Sequence, residues 1–387
     1  MRAGAFVYPW DIIGDPGAPA RIAGLGVRQV TLASAYHSTR ALTPHHPRHR
    51  IVTAEQASVL YLPDETRWAG RELRPYAAGD WAPGDAYGQA AEALVAAGLD
   101  VHTWVVLAHN SRLGAEHPGT SVVNAYGDRY PWAPCIAQPA VRAYLTDLAA
   151  EAAARPRAHG TELESCGWYG LAHLHAHDKT AGVGLGDAAQ YAMSLCFCTA
   201  CRDGYAAQGA DPDELSAGVR EALEPVWRGS APTDISVEKL LGAEPAAVTL
   251  EFRTRTARTL QEAAVAAVRA AAPEGFQVLL HADPVAYHCG ANAGVDPAHV
   301  LGLADGVVVP CTGGAQPVPP FARHASATSV VAANFTVVGG MGGSPVTLAA
   351  DAARARSLGA NELRLYHAGL ASGQDLAAVR DALAQLA

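Results

Sequence analysis

Cys196-Phe197-Cys198-Thr199-Ala200-Cys201 brings three thiols into one short run, the tightest cluster of chemistry-bearing side chains in the sequence. In a reducing compartment a C-x-C-x-x-C run reads as thiolate ligands for structural zinc before it reads as disulfides. Tetrahedral zinc needs a fourth ligand, for which Cys166 or a histidine of the same segment is the candidate. Such an ion would staple its segment and take no part in catalysis. The plain alternative is three cysteines packed at the end of a helix over Asp187–Leu195, because free cysteine is commonly buried. Cys135, Cys289 and Cys311 carry no spacing signal. A second cluster, His173-Leu174-His175-Ala176-His177-Asp178-Lys179, reads as a loop. Its imidazoles need not converge on a metal there, so His173, His177 and Lys179 are taken as ligand contacts.

Carboxylates at the ends of short apolar runs carry the other signal. Side chains alternate faces along a strand, so parity predicts which ones share an interior. In Thr161-Glu162-Leu163-Glu164-Ser165-Cys166, Leu163 belongs to an outer layer, which turns Glu162, Glu164 and Cys166 inward. The same rule turns His281 and Asp283 inward from Phe276–Asp283, and Glu362, Arg364 and Tyr366 from Glu362–His367. Glu162, Glu362 and Arg364 read as a buried ion network, since a buried charge must be paired. Glu164 and Asp283 end neighbouring runs, and such a pair can divide acid and base, or acid and nucleophile, between its members. Asp11 and Asp305 are reserve carboxylates. Around the same ends lie Tyr8, Trp10, Asp11, Tyr36, His37, His109, Asn110, Trp168, Tyr169, Asn334, Tyr366 and His367. Flat rings with convergent polar groups suit a hydroxyl-rich ligand.

The elements that must position these groups alternate along the whole chain. Strands are predicted over Ala5–Tyr8, Gln29–Ser34, Val101–Ala108, Glu162–Cys166, Gln277–His281, Val307–Pro310, Ser329–Asn334 and Glu362–His367. Helices are predicted over Pro19–Gly24, Asp85–Ala97, Gln138–Arg155, Val248–Ala272, Pro297–Ala304, Leu348–Leu358 and Asp375–Leu386. Gly313–Ala327, rich in Pro and Gly, reads as largely loop. Strand–helix alternation of this kind describes an α/β protein, a single (β/α)8 TIM barrel over 1–387. Insertions over 36–81 and 167–239 follow strands two and four, on the face where barrels carry their sites. A doubly wound sheet would need a glycine-rich phosphate turn after an early strand, and none follows Ala5–Tyr8.

Composition excludes several classes. The chain has 387 residues and 28 basic against 37 acidic side chains, a net charge of −9. With only Lys179 and Lys239 as lysines and its arginines scattered, it lacks the basic stripe of a nucleic-acid binder. No apolar window is long enough to span a membrane, and Met1–Asp11 has too short an apolar core for a signal peptide. A cytoplasmic location is expected. A homodimer is the default oligomer only because dimers are the commonest.

Tyr8-Pro9-Trp10-Asp11 closing strand one, Glu164 on strand four and the Cys196–Cys201 cluster together resemble glycoside-hydrolase-type (β/α)8 proteins. The cysteine cluster is similar to that of barrel β-galactosidases, and the chain at large to alanine-rich bacterial barrels of the hydrolase-like type. The resemblance implies a general acid/base at Glu164 and cleavage of a glycosidic bond in a small carbohydrate, with no cofactor needed for catalysis. The chain departs from the β-galactosidase pattern where Leu163 replaces the asparagine before Glu164. It departs again where strand seven offers Asn334 and no carboxylate. Asp283 is then the partner of Glu164, with His281, Asn334 and Tyr366 on the sugar hydroxyls. Two rivals share the barrel. One is a metal-dependent sugar isomerase or lyase using Glu164, His281 and Asp283 with His173, His175 or His177. The other is a carbohydrate-binding barrel without catalysis.

Overall fold

The computed structural model describes residues 1–174 and 178–386. Eight parallel strands close into a barrel: β1 Arg2–Val7, β2 Gln29–Tyr36, β3 Asp100–Val106, β4 Ala158–Glu164, β5 Gln277–Asp283, β6 Gly306–Pro310, β7 Val330–Thr336 and β8 Glu362–Tyr366. Closure comes from β1, which pairs with β2 (Gly4 with Gln29) and with β8 (Arg2 with Glu362). All eight predicted strands are present, because each is a β-branched or alanine-rich run buried on both faces, as parallel strands must be. Helices follow the strands. Two of them, α3 over Pro139–Ala153 and the long α4 over Ala243–Ala271, pack against each other outside β3 and β4. Within the glycine- and proline-rich 313–327 only Val318–Ala322 is helical. Among the described residues no helix is long and apolar enough to cross a membrane.

Two cores result from the alternation. Outward residues such as Leu163, Val278 and Leu363 join one large barrel–helix core. Inward residues fill the barrel, with Leu279, Val308, Val330 and Ala332 as an apolar plug on one side. Beside it lies the predicted ion network. Arg364 donates from Nε to Glu162 Oε1 at 2.6 Å and from Nη1 to Glu362 Oε2 at 2.8 Å, and Gln29 and Thr31 also donate to Glu162. Burial alone would raise the Glu162 carboxyl, but the Arg364 charge holds it well below the ordinary range. Gly4 makes room here, since a Cβ on it would stand 3.2 Å from Arg364 Cδ and the buried side chain would have to shift.

The parity rule fails at one predicted position. Ser165, directly after Glu164, takes a left-handed φ of +56° and ends the alternation. Cys166 is therefore turned into the barrel–helix core, not into the barrel.

Insertions rise from the C-terminal ends of β2, β3 and β4. After β2, Thr39–Leu42 and Ile51–Ala54 form an antiparallel hairpin, and Ser58–Val59 pairs back onto β2. After β4 come helices over Asp187–Met193, Thr199–Ala206, Pro212–Trp227 and Val237–Leu241. The insertion after β3, a short helix Ser111–Glu116 and a hairpin of Ser121–Val123 with Arg129–Pro134, is not expected from the sequence. Its strands are too short, and too rich in proline, to register as a periodic run.

Candidate active site at the barrel mouth

Glu164 ends β4 inside the barrel mouth, almost wholly buried. The indole N–H of Trp104, from β3, donates to its Oε2 at 2.8 Å. Trp104 is held edge-on by Phe6 at 4.8 Å and by Tyr36 at 4.5 Å. Burial pushes up the hydroxyls of Tyr169, Tyr36 and Tyr366, and the Glu164 charge adds to the rise of each, so three phenols surround the carboxylate in their neutral, proton-donating form. Tyr8 donates to the Tyr36 hydroxyl at 3.0 Å and stacks between Trp10 (4.5 Å) and His367 (4.2 Å).

From Tyr36 a column of rings crosses the strand ends: Tyr36 on His37 at 4.2 Å, His37 on His109 at 4.6 Å and His109 on Tyr169 at 4.2 Å. Burial keeps both imidazoles neutral, lowering His37 and taking His109 down to about 2. Exposed His173 stands edge-on to His109 at 5.6 Å. The mouth thus offers flat apolar faces beside neutral hydroxyl and imidazole groups.

Asp283 ends β5, which pairs with β4 so that Leu280 is level with Leu163. Asp283 therefore stands two residues further along its strand than Glu164, an offset of about 7 Å in the strand direction. Its Oδ1 accepts from the Val285 N–H at 2.8 Å and lies 3.1 Å from His288 Nδ1. It opens onto a cleft of about 440 Å³ lined by His173, Asp187, Gln190, His288, Asn292 and Pro310 among others. His173 borders both this cleft and the ring column, which joins the two halves of the site.

Several predicted contacts have other work. Asp11 is buried, its Oδ2 accepting the Tyr8 N–H at 2.8 Å, and burial raises its carboxyl to about 7; it holds the Tyr8 backbone. Asn110 caps the helix Ser111–Glu116 by accepting the Leu113 N–H at 2.9 Å. Trp168 faces α4, donating to Arg253 O at 2.9 Å under the Arg253 guanidinium. His281 is deeper than the rim, 3.6 Å from Glu162 and edge-on to Phe6. Asp305 starts β6 at the opposite end, where it pairs with Arg269 and caps the Val278 N–H. Asn334 and Tyr366 are half-buried at the ends of β7 and β8, and Lys179 is exposed. His175 and His177 lie outside the described residues.

Trp104, His288 and Asp187 are absent from the sequence-level list. Trp104 was reachable by parity, since His102, Trp104 and Val106 share the inward face of β3. His288 and Asp187 meet only through tertiary structure.

The cysteine cluster is real, with one correction. Its fourth member is Cys135, from the insertion after β3, and not Cys166. The four sulfurs lie within 4.8 Å of one another, with Cys135 3.5 Å from Cys201 and 3.6 Å from Cys198. Sulfurs about 3.8 Å apart are what a tetrahedron with Zn–S bonds of about 2.3 Å requires, so the set fits zinc. Among the described residues it is the one convergent group of three or more metal-ligating side chains. Among the described residues Glu164, His281 and Asp283 do not form such a group; His175 and His177, on which the isomerase rival also draws, lie outside them.

No protein-family model matches the chain, and no curated protein matches it. Solved structures do. The chain is similar to the catalytic domain of β-amylase from Paenibacillus polymyxa (TM-score 0.58, 13% identity, 99% of this chain and 97% of that one). It is similar also to the PgaB (BpsB) glycoside hydrolase domain from Bordetella bronchiseptica (0.57, 16%, 99% and 98%). A third likeness is to α-L-fucosidase isoenzyme 2 from Paenibacillus thiaminolyticus (0.55, 14%, all of this chain and 49% of that one). The chain spans about half the length of that fucosidase and of the β-galactosidases it matches. At these identities the likeness establishes the fold: a glycoside-hydrolase-like (β/α)8 barrel.

Proposed function

We propose that the chain is a glycoside hydrolase acting on a small glycoside or oligosaccharide. The observation that carries this reading is Glu164, buried at the end of β4, bonded by the Trp104 indole and ringed by neutral tyrosines. Glu164 is the general acid that protonates the leaving oxygen. The Tyr36–His37–His109–Tyr169 column and Tyr8 form the stacking wall for the sugar, with Tyr366 and Asn334 at its hydroxyls. Asp283 serves the attacking side. A carboxyl separation of about 6.5–9.5 Å from Glu164 makes such a pair inverting, and one of about 5–5.5 Å retaining. The aromatic wall, and a cleft whose described lining carries Asp187 and Asp283 but no lysine or arginine, favour a neutral sugar.

Cys135, Cys196, Cys198 and Cys201 hold a structural zinc in this reading. It ties the β4 insertion to the β3 insertion and supplies no catalytic step.

The test is turnover of a panel of aryl glycosides and short oligosaccharides by the wild-type chain and by Glu164→Gln. General acid catalysis contributes roughly 10²–10⁴-fold, so kcat should fall by that order while calorimetric sugar affinity stays near the wild-type value. Wild-type turnover in Glu164→Gln would overturn the assignment.

A further inference from the structure

Arg253 is a buried charge with no carboxylate beside it. It comes from α4, is 3% exposed, and its guanidinium lies over the Trp168 ring at 4.7 Å and the Tyr191 ring at 4.9 Å. Nη1 donates to Ser194 O at 2.8 Å and Nη2 to Cys289 Sγ at 2.9 Å, while Nε has no acceptor. Among the described residues no carboxylate pairs with it, whereas the other deeply buried arginine, Arg364, holds two. A buried cation needs an anion, and arginine does not surrender its proton. Of the groups that touch this guanidinium, the Trp168 ring and the Ser194 carbonyl cannot ionise, and burial takes the Tyr191 hydroxyl up to about 12. That leaves the Cys289 sulfur.

We infer that Cys289 stands as a thiolate paired with Arg253 and is a covalent modification site, taking small neutral or cationic disulfides from the cleft beside it. Cys289 is partly exposed, on the loop after β5, and lines the cleft of about 440 Å³ together with Asp187, Asp283 and His288. The thiolate is the form of cysteine that attacks. Its sulfur displaces one half of the incoming disulfide: a bond forms from Sγ to the nearer sulfur as the old S–S bond breaks. The other half leaves as a thiolate and takes a proton from solvent. Cys289 is thereby oxidised and the departing sulfur reduced, with no further reagent. The inference is independent of the hydrolase reading.

The groups around the sulfur set both its charge and its choice of partner. Arg253 from α4 favours the anion, and the Tyr287 hydroxyl of the same loop is raised by burial and stays neutral. Tyr287 O stands 3.7 Å from Sγ, a weak contact that gives a thiol proton little reason to stay. Asp187 and Asp283 line the cleft and act the other way, each with His288 against it, at 3.4 Å and 3.1 Å. Their charge repels an incoming carboxylate and draws in an ammonium group. The described lining offers no lysine or arginine to reverse that preference.

The experiment treats the native full-length chain with iodoacetamide, a neutral probe, and follows each cysteine by peptide mass spectrometry. Between about pH 8 and about pH 6 a thiol with the free value of about 8.5 slows roughly 80-fold, whereas Cys289 should slow less than about threefold. Buried Cys166 and Cys311 are the unreacted reference. Arg253→Met should return Cys289 to the steep profile, and Arg253→Lys, which keeps a charge, should hold part of the flat one. If neither variant folds, the wild-type profile decides by itself. A second arm exposes the wild-type chain to cystamine, a cationic disulfide, or to oxidised glutathione, an anionic one. Cystamine should form the mixed disulfide at Cys289 faster by about tenfold or more. A steep wild-type profile, a Cys289 that neither pH alkylates, or a preference for glutathione would overturn the inference.

Discussion

Asp11 and Glu162 are both buried carboxylates, yet their surroundings send them in opposite directions. Glu162 meets a guanidinium and stays charged; Asp11 meets the Tyr8 N–H and, 4.0 Å away, a His367 ring that burial keeps neutral, and is raised to about 7. An acid raised on folding stabilises the protonated native state below its unfolded value near 4 and loses that contribution as pH rises through 7. The shift corresponds to on the order of 4 kcal/mol. Stability should therefore decline between pH 4 and 7, and Asp11→Asn should flatten that decline in denaturant melts across the range. Arg364→Met makes the complementary case. It leaves Glu162 buried without its partner and should cost roughly 3–5 kcal/mol of unfolding free energy at neutral pH. At this scale much was legible. Strand parity placed Glu162, Glu164, Asp283, Arg364 and Tyr366 correctly inside, and the same rule reached Trp104 had β3 been read the same way. It misled at Cys166, because the positive φ of Ser165 has no local signature. It could not show that Asn110 and Asp11 spend their side chains on nearby backbone N–H groups.

Insertions decide which side chains meet at the mouth and also where the metal-binding set closes. Local spacing revealed Cys196, Cys198 and Cys201, because they share one helix start. Cys135 precedes Cys198 by 63 residues and is delivered by the hairpin after β3, so no spacing rule could name it. The cluster therefore bridges two insertions, whereas a ligand at Cys166 would have tied the β4 insertion only to its own strand. Cys135→Ser should abolish zinc, measured per chain by mass spectrometry of the native protein, and lower the thermal midpoint. Cys166→Ser should leave the zinc in place. The opposite pattern would restore Cys166 as the fourth ligand.

At the scale of the molecule, eight strands alternating with helices were enough to specify the barrel, because few other architectures bury eight two-sided apolar strands. The chemistry was less legible, since a barrel hosts many reactions and the site draws on β1 to β5, β7, β8 and three insertions at once. The central claim is that a glycoside is bound with its scissile bond at Glu164 and its attacked face on the side of Asp283. The most direct measurement is the crystal structure of the Glu164→Gln chain with an intact oligosaccharide bound. The account predicts a sugar ring against the Tyr36–His37–His109–Tyr169 column. Its glycosidic oxygen should lie within hydrogen-bond distance of the residue 164 amide, and its anomeric carbon should face the Asp283 side of the mouth. A sugar bound elsewhere, or one whose scissile bond turns away from residue 164, would contradict it.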